Sequence, residues 1–306
     1  MKIYHDWRGL PPEAKGAAIA LGNFDGVHLG HAAVVRAAHA ARPSAPLAVL
    51  TFEPHPRAFF RPQDPPFRLT LSAERAAALE TLGVTLLYEL PFDAEFSRIT
   101  AEQFCADVLH AGLGAAQLAC GADFAFGHRR GGDIAFLARR AEALGIGLTT
   151  VPPVTDAQGP ISYTRIRRLL QEGYPERAAA ALGRPHTIRG EVIHGDARGR
   201  TIGFPTANML LGEHLEPARG VYAITARLPG GAEVSGVANI GQRPTVGGTQ
   251  SRLEANLFDF AGDLYGQELT VALRHFIREE RKFESFDALK AQIARDAETA
   301  RALLTP

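Results

Sequence analysis

The sequence predicts an α/β domain followed by a small antiparallel β-barrel, and three observations support this prediction. In the first half of the 306 residues, short apolar runs alternate with helical patterns, which is typical of a parallel sheet covered by helices on both faces. From about residue 187 onward, the segments are short, β-rich and separated by turns. At residues 183–185 the triplet Gly-Arg-Pro interrupts a helical pattern, so we place the two domains at residues 1–183 and 184–306.

Strands and helices alternate in the predicted first domain. The strands are apolar runs stopped by glycine or proline, and the helices carry apolar positions at helical spacing. We predict strands at residues 17–21, 47–52, 86–88, 118–120 and 148–151. We predict helices at residues 30–41, 72–82, 101–111, 133–143 and 164–182. Ligands bind such sheets beyond the carboxyl ends of the strands, so functional residues are expected there.

The predicted second domain consists of short strands and one closing helix. We predict strands at residues 188–193, 220–226, 234–240, 252–258 and 268–276. The chain closes on a helix at residues 286–304, whose apolar positions include Leu289 and Ile293. This pattern fits a small antiparallel barrel with a terminal helix.

The composition describes a globular protein without a strong overall charge. Hydrophobic residues make up 46% of the chain, which is enough for two cores. Lys+Arg and Asp+Glu both number 33, so neither a nucleic acid nor an anionic membrane is an expected partner.

The two cysteines, Cys105 and Cys120, are too few for a disulfide framework or a thiolate zinc site. The chain begins without an apolar signal core and holds no run of about 18 apolar residues, so we expect a cytoplasmic protein. We also expect a monomer or weak homo-oligomer.

The stretch from Gly22 to His31 follows the first predicted strand and opens the first predicted helix. Its three glycines, at positions 22, 26 and 30, allow a sharp turn and a close approach to a ligand. The following helix points free N–H groups at the same place. His28 and His31 are three residues apart and therefore face the same way, so both imidazoles can donate hydrogen bonds to a phosphate.

Two other interpretations of this stretch remain open from the spacing alone. The histidines are equally compatible with capping or packing roles in a turn. A metal site is less well supported, because no third ligand is evident nearby.

The His-x-Gly-His arrangement at a strand-to-helix turn resembles the nucleotidyltransferase superfamily. Three later stretches match the flavin branch of that superfamily: Thr-Phe-Glu-Pro-His-Pro at 51–56, Gly-Ala-Asp-Phe-Ala-Phe-Gly-His-Arg-Arg-Gly at 121–131, and Ile-Ser-Tyr-Thr-Arg-Ile-Arg at 161–167. Together, residues 1–183 resemble the adenylyltransferase domain of the bacterial bifunctional riboflavin kinase/FAD synthetases.

This resemblance implies a Rossmann-like domain that adenylylates FMN to FAD with release of pyrophosphate. It implies that His28 and His31 stabilise the ATP phosphates. Further ATP contacts are implied at Gly22, Asn23, Phe24, Asp25, Gly30, Ser162, Thr164 and Arg167. Flavin contacts are implied at Phe52, His55 and Asp123. A core role for Phe52 and a strand-end turn role for Asp123 remain open, and Tyr163 stands where the family usually has a second serine.

A second candidate site lies in the glycine-rich stretch at residues 195–208. Gly195 and Gly203 flank a loop whose backbone N–H groups can cradle phosphates, and Arg200 adds positive charge. Thr206 and Asn208 present a hydroxyl and an amide oxygen on one side of an extended segment, and both are hard donors suited to Mg²⁺. On composition alone, a β-turn with polar caps explains the stretch as well.

The second half also carries a family resemblance. Pro-Thr-Ala-Asn at 205–208 resembles the riboflavin kinase signature, and further matches lie at 220–222, 236–241, 243–245 and 276–283. The resemblance covers 186–306 and implies a six-stranded antiparallel flavokinase barrel that binds Mg-ATP at the residues of the glycine-rich stretch. It implies a flavin contact at Arg243 and a general base at Glu254, which would take the proton of the riboflavin 5′-hydroxyl. Glu268 is the competing carboxylate, and an outward-facing, ion-paired Glu254 is the structural alternative.

The two resemblances together predict a bifunctional enzyme of FAD synthesis. Riboflavin, FMN and ATP would be its substrates, FMN and FAD its products, and Mg²⁺ its metal. One alternative is a nucleotidyltransferase for another phosphorylated acceptor. A second alternative is a flavin-binding regulator with inactive sites.

Overall fold

The computed structural model describes residues 1–194, 206–245 and 248–305. Spatial proximity of the Cα atoms divides the chain into two compact units. The first unit consists of Met1–Asp64 and Ser72–Ser162, and the second of Pro65–Leu71 and Tyr163–Pro306. The helical segment at residues 163–182 therefore belongs to the second unit. The predicted boundary between residues 183 and 184 coincides with the end of a helix at Gly183 and remains a prediction.

The first unit is built on a parallel sheet of six strands within the described residues. The strands are β1 (Lys2–Tyr4), β2 (Ala18–Leu21), β3 (Leu47–Glu53), β4 (Leu86–Pro91), β5 (Gln117–Gly121) and β6 (Gly147–Val151). Their order in the sheet is β1-β4-β3-β2-β5-β6, and every neighbouring pair is parallel. The order reverses between β2 and β5, which is the type of switch point where nucleotide-binding sheets open a crevice.

Helices cover both faces of this sheet. They are α1 (Leu29–Ala41), α2 (Pro56–Phe60), α3 (Ser72–Glu80), α4 (Ala101–Gln103) with its π-helical continuation Phe104–Gly112, and α5 (Ile134–Ala143). Alternate residues of β2 show the two layers. Ile19 and Leu21 pack in the layer that contains the π-helix and α5, whereas Ala18 and Ala20 pack in the layer that contains α1 and α3. A two-stranded hairpin, β7 (Thr155–Asp156) and β8 (Gly159–Pro160), follows β6.

The second unit is an antiparallel sheet of six strands that curls into a nearly closed barrel. The strands are β9 (His186–Glu191), β10 (Ala207–Leu210), β11 (Gly220–Arg227), β12 (Glu233–Thr245), β13 (Gly248–Leu257) and β14 (Glu268–Glu279). Their order among the described residues is β10-β13-β12-β11-β14-β9. Ile193 donates its backbone N–H to the carbonyl of Asn208 at 2.8 Å, which brings the two end strands together. The fold class predicted from the sequence is confirmed.

Three helices accompany the barrel in the described part of the second unit. They are α6 (Tyr163–Gln171), α7 (Pro175–Leu182) and the terminal α8 (Phe286–Leu304). The predicted single helix over 164–182 is wrong, because Gly173 has a φ of 79° and Pro175 begins a new helix. The apolar side of α8, including Ala297 and Ala300, packs on the outer face of the barrel.

Four described strands have no counterpart among the predicted ones: β1, β10 and the two strands of the short hairpin β7–β8. β1 is only three residues long and sits at the edge of the first sheet, and β10 carries the predicted extended segment around Asn208. No helix in the part of the chain that the structure describes has the length and apolar character that a membrane crossing requires.

We predict that both cysteine thiols resist alkylation in the folded protein. Burial raises the pKa of Cys105 to about 11, with Glu102 adding to the shift and Arg140 opposing it. Burial raises the pKa of Cys120 to about 12, with a further contribution from Asp123. At pH 8 both groups are therefore neutral thiols, which react poorly.

The measurement is iodoacetamide labelling at pH 8, followed by intact-protein mass spectrometry. Without denaturant we expect no adduct, and in urea two adducts. Rapid labelling of the native protein would contradict the buried placement of these side chains.

Candidate active sites

The turn after β2 is held in an unusual backbone conformation. Phe24 and Val27 have φ values of 51° and 43°, and Gly26 has a φ of 80°. Phe24 is fully buried, and its ring anchors the turn against the sheet. The Thr51 hydroxyl of β3 donates to the carbonyl of Asn23 at 3.0 Å, which ties the turn to the neighbouring strand. Positive φ values in non-glycine residues cluster at functional sites, where the surrounding structure compensates the strain.

His28 and His31 lie together at the start of α1. His28 is the N-cap of α1, and its Nδ1 accepts the backbone N–H of His31 at 3.2 Å. The two imidazole rings are stacked, with centroids 3.7 Å apart and planes inclined by 13°. Because Nδ1 of His28 is an acceptor, its ring hydrogen is on Nε2, which makes Nε2 a donor. His28 is therefore a capping residue, as one of the alternative interpretations expected. The capping bond also leaves a hydrogen on Nε2, which is the donor that a phosphate contact requires.

The stacked position of His28 requires a glycine at position 30, because any side chain there would clash with the His28 ring. A Cβ at Gly30 would stand 2.9 Å from Cε1 and 3.0 Å from Nδ1 of His28. The carbonyl oxygen of Ile161 is 3.6 Å from the same point, so the residue before Ser162 also approaches the start of α1. Gly22 ends β2, and Asp25 is buried in the turn.

The predicted flavin contacts also lie at carboxyl ends of strands in this sheet. His55 is buried and caps α2, with Nδ1 accepting the backbone N–H of Arg57 at 3.0 Å. Phe52 is half-buried, with its ring centroid 5.0 Å from Phe96 and 5.5 Å from Phe92. Asp123 is exposed just beyond β5, the strand next to β2. The core role for Phe52 and the turn role for Asp123 both remain compatible with these positions.

The predicted phosphate motif at the start of α6 is divided between the two units. Ser162 belongs to the first unit, whereas Thr164 and Arg167 belong to the second. Thr164 is exposed, and Arg167 is buried. The guanidinium carbon of Arg167 lies 4.9 Å from the ring centroid of Phe67 and 4.7 Å from that of Tyr163. The tyrosine that departs from the family pattern is thus a stacking partner of this arginine.

Three polar side chains form one row across the outer face of the barrel. Glu254 on β13 lies opposite Asn208 on β10 and opposite Asn239 on β12. The residues on either side of Glu254, Leu253 and Ala255, are fully buried in the barrel core, so Glu254 points outward. Side chains directly opposite on neighbouring strands have Cβ atoms about 4.5–5.5 Å apart. The row therefore places two amides beside one carboxylate.

A cavity of about 460 Å³ opens over Glu254 and Asn239 of this row, a volume within the range of small-molecule sites. Thr206, Asn239 and Glu254 line its barrel side, and Leu289 and Ile293 of α8 line the opposite side. A carboxylate and amides on one wall and aliphatic groups on the other suit a ligand with hydroxyl groups at one end and an apolar ring at the other.

One ion pair and two amide hydrogen bonds border this cavity. Arg278 on β14 binds both carboxylate oxygens of Asp296, with Nη2 at 2.6 Å and Nε at 3.1 Å. Gln292 donates to the same carboxylate at 2.7 Å, and Asn239 donates to Glu280 at 3.1 Å. The ion pair between Arg278 and Asp296 joins the barrel to α8 at the edge of the cavity. Cross-strand neighbours have no signal in a single sequence, which explains why the sequence does not single out Asn239.

Glu268, the other carboxylate considered as the general base, lies away from the cavity. It begins β14, forms an ion pair with Arg189, and does not line the cavity. Gly195, Arg200 and Gly203 lie outside the described residues, as does the side chain of Arg243.

The donor set around Thr206 fits Mg²⁺ bound together with ATP. The amide nitrogen of Asn208 donates to the Thr206 carbonyl at 3.3 Å and to the Thr206 hydroxyl oxygen at 3.5 Å, and the Asn208 amide oxygen and the Thr206 hydroxyl are both neutral oxygen ligands. Mg²⁺ takes such ligands together with phosphates and waters. Among the described residues, no cluster of three or more His, Cys, Asp or Glu side chains could hold a metal on its own.

Comparison with known proteins identifies both halves of the chain. The family model for FAD synthetase matches residues 10–165, and the family model for riboflavin kinase matches residues 182–304. The bifunctional riboflavin kinase/FMN adenylyltransferase of Escherichia coli K12 is 41% identical over 299 residues, which cover 97% of this chain and 95% of that protein. The enzymes of the same name from Haemophilus influenzae and Bacillus subtilis are 42% and 37% identical, over 94% and 97% of this chain and 94% and 96% of those proteins.

A solved structure agrees over the whole length. The crystal structure of a protein from Streptococcus pneumoniae, described as a macrolide-efflux protein, superposes with a TM-score of 0.87 at 34% identity and covers 98% of both chains. Its shared architecture supports the fold, whereas the two family models and the curated relatives agree on the activities. The chain belongs to the family of bifunctional riboflavin kinase/FMN adenylyltransferases.

Proposed function

We propose that each domain catalyses one step of FAD synthesis with its own set of residues. The barrel phosphorylates riboflavin to FMN, and the α/β domain adenylylates FMN to FAD. The observation that carries the first assignment is that Glu254 and Asn239, which lie opposite each other on β13 and β12, both line a cavity of ligand size. The second assignment rests on the stacked pair His28 and His31 at the start of α1.

The kinase step begins with a neutral alcohol, which is a poor nucleophile. Glu254 takes the proton from the riboflavin 5′-hydroxyl as its oxygen attacks the γ-phosphorus of ATP, and ADP leaves. Mg²⁺, when bound with ATP, would supply neutralisation of the charge on the transferred phosphoryl group. Thr206 and Asn208 hold the metal and ATP through their oxygen atoms. The aliphatic side chains Leu289 and Ile293 exclude water from the flavin ring.

The adenylyl-transfer step needs no strong base. A phosphate oxygen of FMN, already an anion, attacks the α-phosphorus of ATP, and pyrophosphate leaves. Nε2–H of His28 and the ring of His31 donate to the phosphate oxygens on which charge builds, aided by the positive end of α1. The stacked rings hold these donors in place before the substrate binds.

The remaining residue assignments are part of the same proposal. In the first domain, Asp25 and the turn backbone bind ATP, and the ring of Phe52 with His55 and Asp123 contacts the flavin. Ser162, Thr164 and Arg167 bind phosphate. In the second domain, Gly195, Arg200 and Gly203 bind ATP, and Arg243 contacts the flavin. We propose domains at 1–183 and 184–306 and a cytoplasmic enzyme that is monomeric or weakly self-associating and binds no nucleic acid.

We predict that Glu254→Gln abolishes the kinase step alone. The amide keeps the shape of the side chain but cannot accept the proton, so FMN formation from riboflavin should fall by about 10²–10⁴-fold. FAD formation from supplied FMN should be unchanged. Both products are measured by chromatography, and Glu268→Gln, which alters a carboxylate outside the cavity, is the control. Kinase turnover near the wild-type value would exclude Glu254 as the base.

The opposite result is expected when the two stacked histidines are replaced together. In His28→Ala/His31→Ala, the donors to the α-phosphate are lost, and FAD formation from FMN should fall by at least about 10²-fold. FMN formation from riboflavin should persist.

The control is His39→Ala, which removes an exposed histidine from the far end of the same helix. Unimpaired FAD synthesis in the double variant would refute the phosphate-stabilising role of the pair.

A further inference from the structure

Arg75 is a fully buried cation in the first unit. It lies on α3, whose neighbouring side chains Ala76 and Leu79 pack in the apolar layer beneath the sheet. Its Nη2 atom donates to Glu53 Oε2 at 2.8 Å and to Glu89 Oε1 at 2.5 Å. Burying a guanidinium is strongly unfavourable unless it is paired, so these contacts define where the side chain can sit.

The two carboxylates come from neighbouring parallel strands and differ in exposure. Glu53 is the last residue of β3, and Glu89 lies on β4 opposite Thr51. The Glu89 side chain is 5% exposed and also accepts the Ser72 hydroxyl at 2.7 and 2.9 Å. The Glu53 side chain is 31% exposed. Glu89 is thus committed to the interior, whereas Glu53 reaches the surface at the carboxyl end of the sheet.

One nitrogen atom of Arg75 makes both contacts. Its Nε and Nη1 atoms have no hydrogen-bond partner among the described residues. Each of the two hydrogens on Nη2 is therefore donated to one carboxylate. The nitrogen atom Nη2 of Arg75 thus connects the side chain at the end of β3 to the side chain on β4. A displacement of one carboxylate therefore shifts Nη2 of Arg75 relative to the other carboxylate.

Glu53 leads directly into the turn that carries His55. Only Pro54 separates the two residues, and His55 fixes the start of α2 by capping it. The ion pair with Arg75 holds the side chain of Glu53, and the backbone N–H of Phe92 holds its carbonyl at 3.1 Å, at the position where this turn leaves the sheet. This is the edge where such sheets bind their ligands.

We infer that Arg75 is a positioning residue for FMN adenylyl transfer, acting through Glu53 on the turn at residues 53–56. This inference rests on the proposed contact of Phe52 and His55 with the flavin. Arg75 does not touch the substrate in this scheme. It fixes the presentation of His55, and misplacement of such a group by about 1 Å costs as much as about 10²-fold in activity.

The test is the steady-state kinetics of FAD formation from FMN at saturating ATP. Arg75→Lys keeps the charge but loses the planar geometry, and Glu53→Gln keeps the shape but loses the charge. In both variants we expect the KM for FMN to rise about tenfold with kcat changed less than about twofold. The kcat/KM for riboflavin phosphorylation by the same preparations should not change.

The matched control is Arg140→Lys, which weakens the ion pair between Arg140 and Glu102 in the same unit. A merely structural role of Arg75 would lower the melting temperature or the amount of active enzyme, as the control can, without raising the KM for FMN. If Arg75→Lys fails to fold, the half-exposed Glu53→Gln decides the question.

His55→Ala separates failure of this inference from failure of the proposed flavin contact. A raised KM for FMN in His55→Ala, together with unchanged values in Arg75→Lys and Glu53→Gln, would overturn the role of Arg75 alone. Unchanged KM values in all three variants would overturn the proposed flavin contact and the inference with it.

Discussion

The strand register of the barrel is the constraint on which the kinase site depends. β13 pairs with β10 and β12 so that Glu254 stands between Asn208 and Asn239, and the period of two along each strand turns all three outward. A slip by one residue would send Glu254 into the apolar core. The buried neighbours Leu253 and Ala255 oppose such a slip, because it would expose them to solvent. Core packing therefore fixes the position of the proposed catalytic base.

The two proposed sites differ because their nucleophiles differ. Riboflavin presents a neutral alcohol, so the barrel provides a carboxylate at the wall of a half-apolar cavity. FMN presents an anion, so the α/β domain provides hydrogen-bond donors at a helix N-terminus. The alternative of another acceptor for the first domain is disfavoured by the riboflavin kinase family match of the second. The alternative of an inactive regulator is disfavoured by the retained geometry of His28, His31 and Glu254.

The sequence predicted those features that depend on local chemistry. Alternating apolar runs predicted the sheet, and glycines beside His28 predicted the turn at the start of α1. Contacts between residues that are distant in the sequence could not be predicted from it. Asn239 is functional in our account because β12 happens to pair with β13, and Arg75 matters because two strands bring Glu53 and Glu89 together. The break at Gly173 was missed because helical periodicity continues on both sides of it.

In the proposed mechanism, one chain performs both steps with separate residues. The most direct measurement is incubation of the purified protein with riboflavin, ATP and Mg²⁺, with riboflavin, FMN and FAD separated by chromatography over time. We expect FMN to appear first and FAD to follow, with ADP and pyrophosphate as the two by-products. Bound flavin without conversion, or conversion that stops at FMN even when FMN is supplied in excess, would contradict it.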